Sequence, residues 1–99
     1  MRLADLARVV RSKNAGPATL TIDLLLADAA SLARVQRAAW LTPQAISTLY
    51  AVPADQVHII AFPPAHAVKI VLPRAPAGSP GDRDTYGAQR HAMLLDLPV

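Results

Sequence analysis

The sequence predicts a small α+β sandwich, a four-stranded and mainly antiparallel sheet with two helices on one face. Three observations predict it. Residues 19–26 alternate apolar and polar with period two, two capped helical stripes follow, and residues 57–62 and 66–72 read as a hairpin folded at a double proline. With 99 residues there is room for one domain and one core, so the whole chain, 1–99, is taken as a single unit.

The N-terminal stretch places Leu3, Leu6, Ala7 and Val10 at helical spacing, then offers ARVVR as a short strand running into the polar turn SKNAGP. A brief helical turn leading into a strand is the reading adopted. From Thr19, residues Leu20, Ile22, Leu24 and Leu26 share one parity, as a half-buried strand requires. Asp28 then stands as N-cap to AASLARVQRAA, where Leu32, Val35 and Ala39 fall on one helical face while Arg34 and Arg37 face solvent. In LTPQAISTLYAVP, Thr42 is the N-cap, Pro43 occupies the first helical position, and Pro53 ends the helix. Ile46, Leu49 and Tyr50 supply its apolar stripe. In the hairpin, Val68, Ile70 and Leu72 face the core and Lys69 points away. His58 is expected at an exposed position, His66 as a satisfied structural histidine on the strand, and Trp40 and Phe62 as core or interface anchors.

Composition limits the function classes. The chain is 53% hydrophobic, 17% charged and 4% aromatic, more apolar than one small core accounts for, which favours a homo- or hetero-oligomer. Ten Lys/Arg against seven Asp give a net charge of +3, but the arginines are scattered and the few aromatics stand singly. A nucleic-acid module wants a basic stripe and aromatics exposed on the sheet, which these strands are not expected to supply. The absence of cysteine removes disulfide and thiolate chemistry. His58, His66 and His91 show no metal-ligand spacing, so neither a metal nor another cofactor is expected. The N-terminus lacks a signal-peptide core, and Asp23 and Asp28 interrupt the richest apolar run, so no membrane segment and a cytoplasmic location are expected.

Two polar stretches are candidates for chemistry. In RSKNAGP, Arg11, Ser12, Lys13, Asn14 and Gly16 could present turn N–H groups beside two cations and hold a phosphate or carboxylate. The competing reading is a plain polar β-turn between strands, with Asn14 and Gly16 serving backbone geometry. The second stretch lies within an extended polar loop, 74–91, and reads GSPGDRDTYGAQRH. Fixing its fourteen residues costs on the order of 15–25 kcal/mol at about 1–2 kcal/mol each, with almost no apolar burial inside it to offset that. It is therefore either disordered or held from outside, and the density of hydrogen-bonding groups in Asp82, Asp84, Tyr86, Gln89 and His91 favours a held loop. Asp82 or Asp84 with His91 could act as orienter and general base, and Tyr86 could donate to an oxyanion. Asp82 and His91 are the catalytic candidates, although no spacing rule links them. The apolar residues that follow, AMLLDLPV, could anchor the far end as a strand or against a neighbouring chain.

With RSKNAGP, the LTIDLLLAD strand and the closing GSPGDRDTYGAQRHAMLLDL, the chain resembles a group of short bacterial proteins, themselves uncharacterised, encoded beside AtuA-like (acyclic terpene utilisation) proteins. It is also similar to the ferredoxin-like domain attached to some AtuA-type proteins. There an Arg-Ser-Gly-Asp-Lys-Gly turn precedes the first long strand; Arg11, Ser12, Lys13 and Gly16 echo it, while Asn14 and Ala15 depart from it. The resemblance implies a ferredoxin-like α+β fold and a small subunit, non-catalytic or co-catalytic, working with an AtuA-like large subunit. It further implies catabolism of branched acids or acyl-CoA compounds, and it carries over no catalytic residue. In that setting the two polar stretches would meet at the subunit boundary and complete a site for an anionic small molecule. The alternative is a stand-alone homo-oligomeric lyase, hydratase or isomerase using the same residues.

Overall fold

The computed structural model describes residues 1–16, 18–73 and 90–99. A one-turn helix α1 (Leu3–Leu6) leads into strands β1 (Val9–Asn14) and β2 (Thr19–Leu25), then helices α2 (Ala29–Gln36) and α3 (Pro43–Tyr50), then strands β3 (His58–Phe62) and β4 (Ala67–Pro73). The strands form one antiparallel sheet in the order β1-β2-β4-β3. This is the expected α+β sandwich, with the layering of a ferredoxin-like domain and with its two helices consecutive between β2 and β3. Among the described residues no helix is long and apolar enough to cross a membrane.

The core follows from parity. Leu20, Ile22 and Leu24 of β2 lie opposite Leu72, Ile70 and Val68 of β4, and all six are at most 1% exposed. Leu32, Val35 and Ile46 from the helices close over them. Buried aliphatic side chains of this kind are each worth about 1.5–3 kcal/mol relative to exposure, so the central strand pair with its helical cover is the main source of stability.

The helices start where the capping signals place them. The Asp28 carboxylate accepts from Ser31 N–H at 2.8 Å, and the Thr42 hydroxyl accepts from Ala45 N–H at 3.1 Å. Their ends differ from expectation. Helix α2 stops at Gln36, and Ala39 is exposed rather than on its buried face. The chain has to leave the helix there for Trp40 and Leu41 to enter the core, where Trp40 Nε1–H donates to the Pro98 carbonyl at 2.7 Å. Helix α3 ends two residues before Pro53 is reached, in a left-handed Ala51 with φ 55°.

Strand β1 is longer than ARVVR and runs through Asn14, because Lys13 and Asn14 keep pairing with Thr21 and Leu20. The hairpin folds through a 3₁₀ turn at Pro63–Ala65 as the double proline indicates. His66 is not a strand residue: it takes φ 50° in the turn, and its buried Nδ1 has no hydrogen-bond partner among the described residues. Parity alone mistook a turn position for the start of the strand.

The C-terminal apolar residues anchor within the chain, through a 3₁₀ turn and a single bridge and not as a strand. A 3₁₀ turn at Arg90–Leu94 buries Leu94 completely, and Pro98 forms a single bridge with Arg2. Leu3 N–H donates to Leu97 O at 2.9 Å and Val99 N–H to Met1 O at 2.9 Å, so the two termini are stitched side by side.

Ile70→Ala is expected to cost about 2–5 kcal/mol, and Phe62→Ala, at an exposed position, no more than about 0.5 kcal/mol; urea unfolding measures both. The hydrogen bond from Ser31 N–H holds the Asp28 carboxyl below the usual carboxylate range. A depressed folded-state pKa contributes stability that is complete above the unfolded pKa and is lost as pH falls through the folded one. Acidification below the ordinary carboxylate range therefore removes this contribution, and Asp28→Asn, which keeps a cap but does not titrate, should lose less stability over that window in acid-unfolding curves.

Candidate functional site

Residues 11–14 lie in β1, so the candidate anion turn is divided between the two sides of the sheet. Ser12 pairs with Ile22 and faces the core, whereas Arg11 and Lys13 face away from it. Arg11 Nε lies 3.5 Å from the carboxylate of Asp23, its partner across the strands. Asn14 is the last residue of the strand, not a turn residue. Gly16 has φ 121°, a conformation that L side chains rarely adopt, and that is the physical reason for glycine there. The five residues thus do not form one continuous cradle: two cations stand on one face, a hydroxyl and an amide belong to the other, and the turn proper is shorter.

The structure brings Ser12 together with His91. Ser12, 6% exposed, receives the His91 backbone N–H at 3.1 Å, and the same hydroxyl lies 3.1 Å from His91 Nδ1. The same oxygen thus meets both the ring and the backbone of one residue, and the direction of the Oγ–Nδ1 hydrogen bond follows from the ring tautomer. A neutral imidazole carries one ring proton. With it on Nε2 the hydroxyl donates to Nδ1 and Nε2 is a donor; with it on Nδ1 the ring donates to the hydroxyl and Nε2 is left as the acceptor. One hydroxyl therefore fixes both the start of the 3₁₀ turn Arg90–Leu94 and the orientation of the ring.

The geometry sets limits on the chemistry. A Ser–His contact is the first requirement of a nucleophile–base pair. Here, however, the hydroxyl is buried and held by two groups of the same residue, which suits a positioning role for Ser12 and leaves Nε2 as the imidazole atom able to act on something else. The candidates Asp82, Asp84, Tyr86 and Gln89 lie outside the described residues. Among the described residues no group of three or more metal-ligating side chains is clustered.

The sheet has a second feature, which parity reading of single strands missed. Among the described residues the helices cover one face only, and the other carries Val9, Ile60 and Phe62 at 41%, 42% and 47% exposure. Phe62 is an exposed sheet aromatic, contrary to the expectation that the strands supply none. The signal was present in the polar parity, Asp23 with Lys69, but it becomes a surface only when the strands are set in register.

Residues 3–98 match the family described as Domain of unknown function (DUF4387). The chain belongs to this family. No curated protein and no solved structure is significantly similar to it. The family match spans both polar stretches, RSKNAGP and GSPGDRDTYGAQRH, together with the sheet and helices between them.

Ser12→Ala removes the acceptor of the His91 N–H and the partner of Nδ1. It is expected to destabilise by about 1 kcal/mol and to speed amide exchange at His91 and along 90–94 before other regions, as hydrogen-exchange mass spectrometry can resolve.

Proposed function

We propose that this DUF4387 protein is a small accessory subunit of a cytoplasmic AtuA-type metabolic enzyme complex, acting in the catabolism of branched acids or acyl-CoA compounds. The observation that carries the reading is the Ser12–His91 contact, which ties the end of one polar stretch to the other. A buried hydroxyl on an edge strand, placed to orient an imidazole, makes part of a site for a small acid, while Arg11 and Lys13 stand on the other face of the same strand and do not line it. A ring held through Nδ1 offers Nε2 for hydrogen bonding to, or proton transfer with, a bound substrate. A large subunit would supply the remainder of the site and cover the apolar surface that one small core leaves exposed. The family resemblance carried by RSKNAGP and the closing segment names that subunit as AtuA-like.

The same contact favours a second reading, a stand-alone homo-oligomeric lyase, hydratase or isomerase in which His91 is the general base. The two readings part in one experiment. Co-expressed with an AtuA-type large subunit encoded beside it, the protein is expected to co-purify with that subunit in fixed stoichiometry by native mass spectrometry. Alone it is expected to be inert on a panel of hydroxy acids and acyl-CoA thioesters. Turnover by the isolated chain that disappears in His91→Ala would replace the accessory reading with the catalytic one.

A further inference from the structure

The face of the sheet turned away from the helices is ordered in three rows running across β1, β2, β4 and β3. It is exposed along the edge strands and closed at its centre, where Thr21 is 6% and Ala67 9% exposed. The first row is Val9, Leu25, Ala67 and Phe62; the second is Arg11, Asp23, Lys69 and Ile60; the third is Lys13, Thr21, Val71 and His58. The first row is wholly apolar, and Ile60 continues it into the second. A depression lined by Arg8, Val9, Leu25, Leu26 and Ala65 adjoins it. The polar part is one-sided in charge: among the strand residues of this face, Arg11, Lys13 and Lys69 are set against the single carboxylate of Asp23, which Arg11 already engages at 3.5 Å.

We infer that this face is the docking surface for the large subunit, and that the subunit meets it with an apolar ridge flanked by carboxylates. The inference rests on the accessory reading above and adds the location and chemistry of the contact. An apolar ridge seats against Val9, Leu25, Ile60 and Phe62, with one side chain entering the adjoining depression, as a desolvated anchor does at the centre of an interface. Partner carboxylates then lie over Lys69 and Lys13, where excess positive charge steers the encounter and fixes its register. Charge is also what disfavours a second copy of this chain as the occupant, because it would bring two faces of the same sign together and desolvate them. A single-stranded nucleic acid would find the cations, but for stacking only Phe62 and, two rows away, the imidazole of His58, since the remaining apolar residues of the rows are aliphatic.

The test uses the full chain co-expressed with its AtuA-type neighbour and compares wild type with Phe62→Asp, Val9→Asp and Lys69→Glu. Arg37→Glu, an exposed change at the end of α2, serves as control. All four should melt cooperatively, and circular dichroism verifies this before binding is measured. The inference expects each sheet-face variant to weaken binding by about tenfold or more, Arg37→Glu to bind as wild type does, and added salt to weaken wild type more than Lys69→Glu. If wild type co-elutes with the large subunit and the sheet-face variants do so equally well, docking lies elsewhere; the face is then misassigned and the accessory reading stands. If wild type does not co-elute, both readings fall. A homodimer lost in Phe62→Asp would assign the face to a second copy, and salt-sensitive binding of an oligouridylate probe lost in the same variant would assign it to nucleic acid; either result overturns the inference.

Discussion

Everything in this fold hangs on the antiparallel pairing of β2 with β4. Seven residue pairs, from Thr19–Pro73 to Leu25–Ala67, lock two strands whose alternate side chains are aliphatic, and the register decides which of them share a face. Slipped by one residue, the pairing would turn Asp23 and Lys69 toward the helices and Ile22 and Ile70 toward water. Helices α2 and α3 are consequences of this choice, since their apolar stripes have only one surface to cover. So are the edge strands: β1 and β3 add to the outer sides of the central pair and inherit its parity, which carries Ser12 inward and Arg11 and Lys13 outward.

The same pairing explains how a polar stretch can be tied to a small domain. Ser12 is a buried hydroxyl on the core side of an edge strand, and a buried hydroxyl needs partners. His91 supplies both of them from one residue, and Leu94, one 3₁₀ turn later, is fully buried. Beyond it the termini hold each other through the Leu3–Leu97 and Val99–Met1 hydrogen bonds, with Trp40 clasping Pro98 from the helical side. Closure from the C-terminal end thus comes from a few specific hydrogen bonds set around apolar anchors, an economical device for a chain of 99 residues.

The placement of the helices has a functional consequence. Among the described residues they lie on a single face of the sheet, and the other face of this DUF4387 protein sets exposed Val9, Ile60 and Phe62 on its edge strands beside lysine and arginine. Three of the exposed large apolar residues, Val9, Ile60 and Phe62, thus share one surface. It lies on the side of the sheet away from the Ser12–His91 contact, so the surface proposed for docking and the group proposed for chemistry are separated by the thickness of one sheet.

Local sequence determined the elements whose signals are local. Period-two alternation in 19–26, the caps Asp28 and Thr42, and the double proline at 63–64 each act within a few residues, and the structure forms a strand, two helix starts and a hairpin turn at those places. Boundaries set by distant partners were not legible. The end of α2 depends on where Trp40 must go, the length of β1 on the reach of β2, and the turn conformation of His66 on how the hairpin closes. Of the candidate site, residue types could be named from sequence. That Ser12 and His91 meet, while Arg11 and Lys13 stand on the opposite face, required the sheet itself, because contacts across 79 positions follow from pairing register and burial and leave no mark on neighbouring residues.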